Sequence, residues 1–161
     1  MTISFISFEK SDETKKTEGY WCNNGMILIT QKNHDDTNEY GGTSCSLKPS
    51  ELKKVIESYK EDAVEPLLEL EEVRPGLLPM RSRIRVAVQD KLIVITERHK
   101  SFIDEEFFGR GDVIIALKDA EEILSGGCKI RDDYEENIGI APILGFNCRT
   151  EEKDVTYETK S

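Results

Sequence analysis

Cysteine is sparse in this sequence: Cys22, Cys45, Cys128 and Cys148 are spread over 161 residues, and no two form a C-x-x-C pair. That spacing argues against a disulfide scaffold and against thiolate ligands or nucleophiles. It points to a reduced, cytoplasmic setting with the thiols as small buried apolar groups. No apolar run approaches the roughly 18 residues a spanning helix needs. The start, MTISFISFEK, lacks the basic-then-apolar layout of a secretory signal, so no membrane partner is expected. There is no phosphate loop, dinucleotide fingerprint or nucleophile elbow. His34 and His99 have no cysteine or carboxylate at metal spacing and read as surface histidines. Asp35-Asp36 and Asp132-Asp133 belong to no calcium loop. The expectation is a non-enzyme with no metal, no cofactor and no small-molecule substrate. Arg110-Gly111-Asp112, in a chain without a secretory signal, reads as a turn entering a strand.

What the sequence has is charge, unevenly placed. The net charge is −10, with charged residues at 34% and hydrophobic residues at 37%. Residues 61–79 carry a net −5 and residues 119–161 a net −6, whereas residues 80–118 carry a net +2. The stretches rich in β-formers are therefore close to neutral, and two acidic blocks hold nearly all the excess.

Ile3 to Phe8 suits a strand, with Glu9 to Glu18 as a loop or long hairpin arm. Tyr20-Trp21-Cys22 leads into Asn23-Asn24-Gly25, a tight-turn signal, and Met26 to Gln31 pairs back across it. Thr43 to Leu47 is a short strand. Pro49 suits a first helical turn, and Leu52, Val55, Ile56 and Tyr59 make one apolar stripe of a helix that could reach Val64. Pro66, Pro75-Gly76 and Pro79 punctuate an acidic linker. Further on, Ser82 to Val88 alternates, Gln89-Asp90-Lys91 turns, and Leu92 to Thr96 and Asp112 to Leu117 are strands. Lys118 to Leu124 reads as a short helix capped by Ser125-Gly126-Gly127, followed by one apolar strand near Ile138 to Phe146 and a frayed terminus.

The two halves repeat one plan. Met26-Ile27-Leu28-Ile29-Thr30-Gln31-Lys32 matches Leu92-Ile93-Val94-Ile95-Thr96-Glu97-Arg98, identical at three of seven positions. Leu47-Lys48 with Glu51 then matches Leu117-Lys118 with Glu121. The expected fold is α+β, with two related antiparallel sheet-plus-helix units packed as an intramolecular pseudo-dimer. The expected boundaries are 1–65 for the first β-β-β(β)-α unit, 66–79 for the linker, 80–127 for the second unit and 128–161 for an acidic tail. Either unit alone has too little core to be stable.

Ile84 to Val88, Leu92 to Arg98, Gly111 to Leu117 and the helix from Lys118 form a pattern that resembles the single-stranded nucleic-acid-binding fold of the positive-cofactor-four coactivators and the Pur-alpha repeats. Met26 to Lys32, Thr43 to Leu47 and Pro49 to Tyr59 fit it more loosely. The resemblance implies paired ββββα units whose sheet faces hold single strands through basic and aromatic side chains. The matching cations are Lys32, Arg83, Arg85, Arg98 and Arg110, with Glu97 interrupting the basic run. Arg81, Arg83 and Arg85 recur every second residue, which puts three guanidinium groups on one strand face. That face is either a phosphate-contacting stripe or a solvated surface paired with nearby acids. Tyr20, Trp21, Phe107 and Phe108 are the rings nearest in sequence. Trp21 reads as a base-stacking platform or a core anchor.

The expected function is an accessory protein binding single-stranded nucleic acid or the transcription machinery. The alternative is an acidic module that blocks a basic partner such as a nuclease, toxin or defence enzyme. Its contact residues would be Glu69, Glu71 and Glu72 in the linker and Asp132, Asp133, Glu135 and Glu136 in the tail. A homodimer is compatible with either.

Overall fold

The computed structural model describes residues 4–22, 24–35, 42–74, 80–101, 103, 106–109 and 111–133, the last six as backbone. These form an α+β fold of two antiparallel four-stranded sheets and two helices. In chain order the first sheet is β1 (Ser4–Ser11), β2 (Lys15–Cys22), β3 (Ile27–Asn33) and β4 (Thr43–Leu47), followed by α1 (Pro49–Ser58). The second is β5 (Leu68–Arg74), β6 (Met80–Gln89), β7 (Leu92–Lys100) and β8 (Asp112–Ile115), followed by α2 (Leu117–Asp133). Each sheet is a meander of sequential neighbours. Among the described residues no helix is long and apolar enough to cross a membrane.

The turns follow local chemistry. Gly25 takes φ +89° after Asn24, whose side-chain oxygen accepts from the Met26 N–H. Asp90 and Lys91 both take positive φ, 54° and 69°, the twist that a two-residue hairpin requires. The Lys91 carbonyl is held at 2.7 Å by the Tyr59 hydroxyl. Asp12 closes the first hairpin by accepting from the N–H groups of Thr14 and Lys15. The segment from Glu9 to Glu18 is thus two strand arms around a short turn.

One apolar core serves both sheets. It joins Phe8, Trp21, Ile27, Ile29, Leu47, Leu52 and Val55 to Leu68, Ile84, Val86, Ile93, Ile95, Val113, Ile115, Ala120 and Ile123. Helix α2 lies across β1 and β2, while α1 meets α2 and β5. Strand β4 approaches β7 and β8, and β3 approaches β8. Polar contacts tie each sheet to the helix that follows the other. The Arg74 guanidinium donates to both carboxylate oxygens of Glu51, at 2.8 and 2.9 Å, and Glu51 also accepts from the Lys48 N–H that opens α1. Lys10 Nζ sits 3.3 Å from both oxygens of Asp119 in the first turn of α2.

Four expectations need correction. The segment read as the linker 66–79 contains β5, so the second sheet has four strands and begins at Leu68. Its alternation was hidden because the outward residues, Glu69 and Glu71, are acids that pair in register with Arg85 and Arg83 of β6. Helix α1 stops at Ser58 instead of reaching Val64, which is 91% exposed and offers the helix nothing to bury. Helix α2 does not end at Gly126-Gly127 but runs through them to Asp133, beyond the expected boundary at 127. Those glycines are where the helix touches the first sheet. A Cβ on Gly126 would lie 2.7 Å from Ser7 Cβ, and one on Gly127 would strike the Trp21 indole. Finally, Leu47 opposes Ile27 as Ile115 opposes Ile93, so the partner of Leu47 is Ile115, not Leu117. The strand expected near Ile138 to Phe146 lies outside the described residues.

Two stability outcomes follow. In an open helix Gly→Ala gains about 1 kcal/mol. Gly127→Ala should instead lose about 1–3 kcal/mol through overpacking against Trp21, read from urea denaturation, and a gain would refute that contact. Arg74→Met should lose about 3–5 kcal/mol by stranding a buried Glu51 charge, and adding Glu51→Leu should recover most of it. A double variant no better than the single one would show that the pair itself stabilises.

Candidate nucleic-acid interface

The alternation of β6 sends Ser82, Ile84 and Val86 into the core and Arg81, Arg83 and Arg85 outward. The three guanidinium side chains are 50%, 56% and 52% exposed. On one side stands β5. Arg83 Nε and Nη2 each lie 3.3 Å from Glu71 Oε1, Arg81 lies 3.6 Å from Glu71, and Arg85 lies 3.8 Å from Glu69. On the other side stands β7, with Arg98 opposite Arg83 and Lys100 opposite Arg81. Arg98 donates to the carbonyls of Glu97 and Gly111 and to Asp112 Oδ1, so it braces the loop before β8. The Phe107 ring covers Arg83, its centroid 4.0 Å from Cζ, and Lys100 Nζ is 5.8 Å from the same ring. The outcome is a flat face with five cations, three acids and one ring. Exposed pairs of this kind are each worth about 0–1 kcal/mol, so the arginines can exchange carboxylate for phosphate at little cost.

The face gathers Arg81, Arg83, Arg85 and Arg98. Lys32 sits on the outer side of the other sheet, opposite Lys16. Trp21 is 1% exposed and donates its indole N–H to the Ile123 carbonyl, which makes it a core anchor and not a stacking platform. Phe108 is half-exposed and faces His99, not the arginines. Arg110, Glu135 and Glu136 lie outside the described residues, and Asp132 and Asp133 are described as backbone at the end of α2. The three glutamates of the acidic run do not share a face. Glu69 and Glu71 are interleaved with the arginines, whereas Glu72 turns to Arg74 Nε at 3.1 Å and Lys48 Nζ at 3.2 Å.

A cleft of about 360 Å³ opens beside this face, lined by Ser44, Glu97, His99, Phe108, Gly109 and Gly111. Glu97 is 7% exposed, and its Oε1 accepts from the Ser46 N–H at 2.7 Å. Its Oε2 is 3.7 Å from His99 Nε2, and His99 Nδ1 is 3.2 Å from Ser82 Oγ. His99, expected at the surface, is partly exposed and also belongs to a polar network. Ser82 is 2% exposed and does not line the cleft, so its hydroxyl is a support for the imidazole. Among the described residues no three of His, Cys, Asp and Glu converge as metal ligands would. Cys22 and Cys45 are buried, and burial raises the Cys45 thiol well above its usual range.

Lys100 and the role of Glu97 escaped sequence reasoning. Lys100 continues the outward alternation of β7. Glu97 stands where Gln31 stands in the matched heptapeptide, and both residues turn out to reach across to the other sheet. No protein-family model matches this chain, and no curated protein matches it either.

Burial pushes the Glu97 carboxyl above its ordinary value of 4.5. The Ser46 N–H, His99 and Arg74 oppose that rise, and nearby Glu51 adds to it. A raised carboxyl favours the folded state when protonated, so its penalty is absent below about pH 4.5 and grows as pH rises through the folded value. Glu97→Gln should therefore raise the thermal midpoint at neutral pH, and the gain should shrink as pH falls toward 4.5. A gain independent of pH would show that charge burial is not its cause.

Proposed function

We infer that this chain is a non-enzymatic accessory protein of nucleic-acid transactions that lays single strands, or the transcription machinery carrying them, across the outer face of the second sheet. Its two ββββα units are related copies packed as an intramolecular pseudo-dimer. The observation that carries the inference is the exposed stripe Arg81-Arg83-Arg85, flanked by Arg98 and Lys100 and covered in part by Phe107. Cations at strand spacing can follow a phosphate backbone while a ring offers a base its face.

Reciprocity supports the relationship between the units. Gln31 of β3 bonds the backbone of Ile114 in β8, and Glu97 of β7 bonds the backbone of Ser46 in β4. Glu51 and Asp119 occupy the third position of their helices, and each takes a cation from the first strand of the opposite sheet. The spacing is 66 residues at Ile27 and Ile93 and 68 at Leu47 and Ile115. The acidic-inhibitor alternative has less behind it, since Glu69, Glu71 and Glu72 are each engaged by a cation.

Fluorescence anisotropy with a labelled oligothymidine across a salt series tests the assignment. Affinity should fall with salt, at roughly 0.7 log units per tenfold salt for each phosphate contact. Replacing Arg81, Arg83 and Arg85 by alanine should weaken binding and flatten that slope. No binding at low salt, or binding untouched by the triple variant, would overturn it.

A further inference from the structure

Gln31 and Glu97 reach across to the opposite sheet from matching places, but they do so with different completeness. The Gln31 amide uses both of its ends. Oε1 accepts from the Ile114 N–H at 2.8 Å, and Nε2 donates to the Ile114 carbonyl at 2.7 Å and to Thr17 Oγ1 at 2.9 Å. Glu97 can only accept. One oxygen takes the Ser46 N–H, and among the described residues the other faces His99 Nε2 at 3.7 Å, beyond hydrogen-bond range. A clamp needed only for the fold would be better served by glutamine, because a buried carboxylate costs more to desolvate than an amide and cannot donate. The cavities beside the two residues differ as well, about 160 Å³ at Gln31 against about 360 Å³ at Glu97.

The larger cleft has the volume and lining chemistry for a heterocycle. His99 and Phe108 stand at its side with ring centroids 6.4 Å apart, and both are partly exposed. Gly109 and Gly111 line it without side chains, packed against Arg98 and Thr43, and Ser44 lines it too. Glu97 lines it as well, its Oε2 making no hydrogen bond to any described residue. Such a group selects a base edge by its donors. Guanine presents N1–H and N2–H side by side. Cytosine and adenine each set one amino group beside an acceptor, and thymine and uracil flank their N–H with two carbonyls that a carboxylate repels.

We propose that the cleft lined by Glu97, His99 and Phe108 is a base-reading pocket that takes a guanine from a bound single strand. It rests on the assignment of the arginine face as the strand path. Phe107 lies on Arg83 of that face, and Phe108, the next residue, pairs its backbone with His99 at the cleft. One base swung over this edge leaves the phosphates on the arginines.

The test compares labelled thymidine tracts carrying one central guanine, hypoxanthine or thymine. The guanine strand should bind roughly tenfold tighter than the all-thymidine strand, as a good base-edge contact implies. Hypoxanthine, which keeps N1–H but lacks the amino group, should fall between. Glu97→Gln should bring the ratio of guanine-strand to all-thymidine-strand affinity to about one, and Phe108→Leu should lower that ratio. Equal affinity for guanine and thymine strands, or a preference that survives Glu97→Gln, would overturn the pocket and leave the arginine face standing. If no strand binds, the arginine face falls, and titration with guanosine and thymidine monophosphates decides the pocket alone. A guanine preference lost in Glu97→Gln would uphold it, and its absence would overturn it.

Discussion

A four-stranded meander with one helix leaves two problems unsolved: an apolar face wider than its helix, and an edge strand with unpaired backbone groups. Here both are solved by exchange. The open edge of β8 is met by the Gln31 amide, which supplies an acceptor and a donor to Ile114 much as a neighbouring strand would. The edge of β4 is met by Glu97 at Ser46. Helix α2 lies on the first sheet, with Trp21 sealed against Gly127 and hydrogen-bonded to Ile123. Unpaired backbone groups buried without partners cost about 1–3 kcal/mol each, and an isolated unit of some 60 residues buries too little to absorb such losses. Mutual capping is therefore the condition under which either sheet exists.

The same exchange decides where charge can be buried. Glu51 and Asp119 sit near helix N-termini, where a carboxylate is favoured by the helix dipole. Each is then closed by a cation from the opposite sheet, Arg74 or Lys10. The two pairs are not equal. Arg74 is 6% exposed and makes a two-pronged contact, so it behaves as a specific latch that is costly to half-remove. Lys10 is 53% exposed, and its contact contributes far less. The buried latch thus falls at the start of the second sheet, beside the segment that composition alone disguises as a linker.

How far the sequence could be read varies with the kind of force involved. Strand β6 was plain because Ile84, Val86 and the arginines alternate with opposite polarity, and α1 was plain because Leu52, Val55 and Ile56 form a stripe. Strand β5 was obscured because Leu68 and Leu70 are its inward apolar residues and a run of glutamates fills the places between. Its identity depends on arginines that arrive later in the chain, and no local window contains them. The glycines of α2 misled for a related reason. Gly126-Gly127 has the composition of a helix stop, but its smallness is used for contact with Ser7 and Trp21, more than a hundred residues away. At the candidate interface the outward arginines were legible from period alone. The cleft was not, since Ser44, Glu97 and Phe108 are brought together only by tertiary approach of β4 to β7.

Charge of −10 on a chain with an arginine face sets two length scales against each other. At physiological salt the Debye length is about 8 Å, so acids farther away than that are largely screened while direct contacts on β6 and β7 are not. A polyanion approaching slowly through the far field would be repelled at low salt, whereas one already on the face meets Arg81, Arg83, Arg85, Arg98 and Lys100 at short range. Glu69 and Glu71 already neutralise part of that face, so on the proposed reading a phosphate docking on Arg83 or Arg85 would take the place of a carboxylate. Such a surface is poorly suited to indiscriminate tight binding of nucleic acid. On the proposed reading, backbone contacts of this kind are weak, and a single base contact would decide which strand is held.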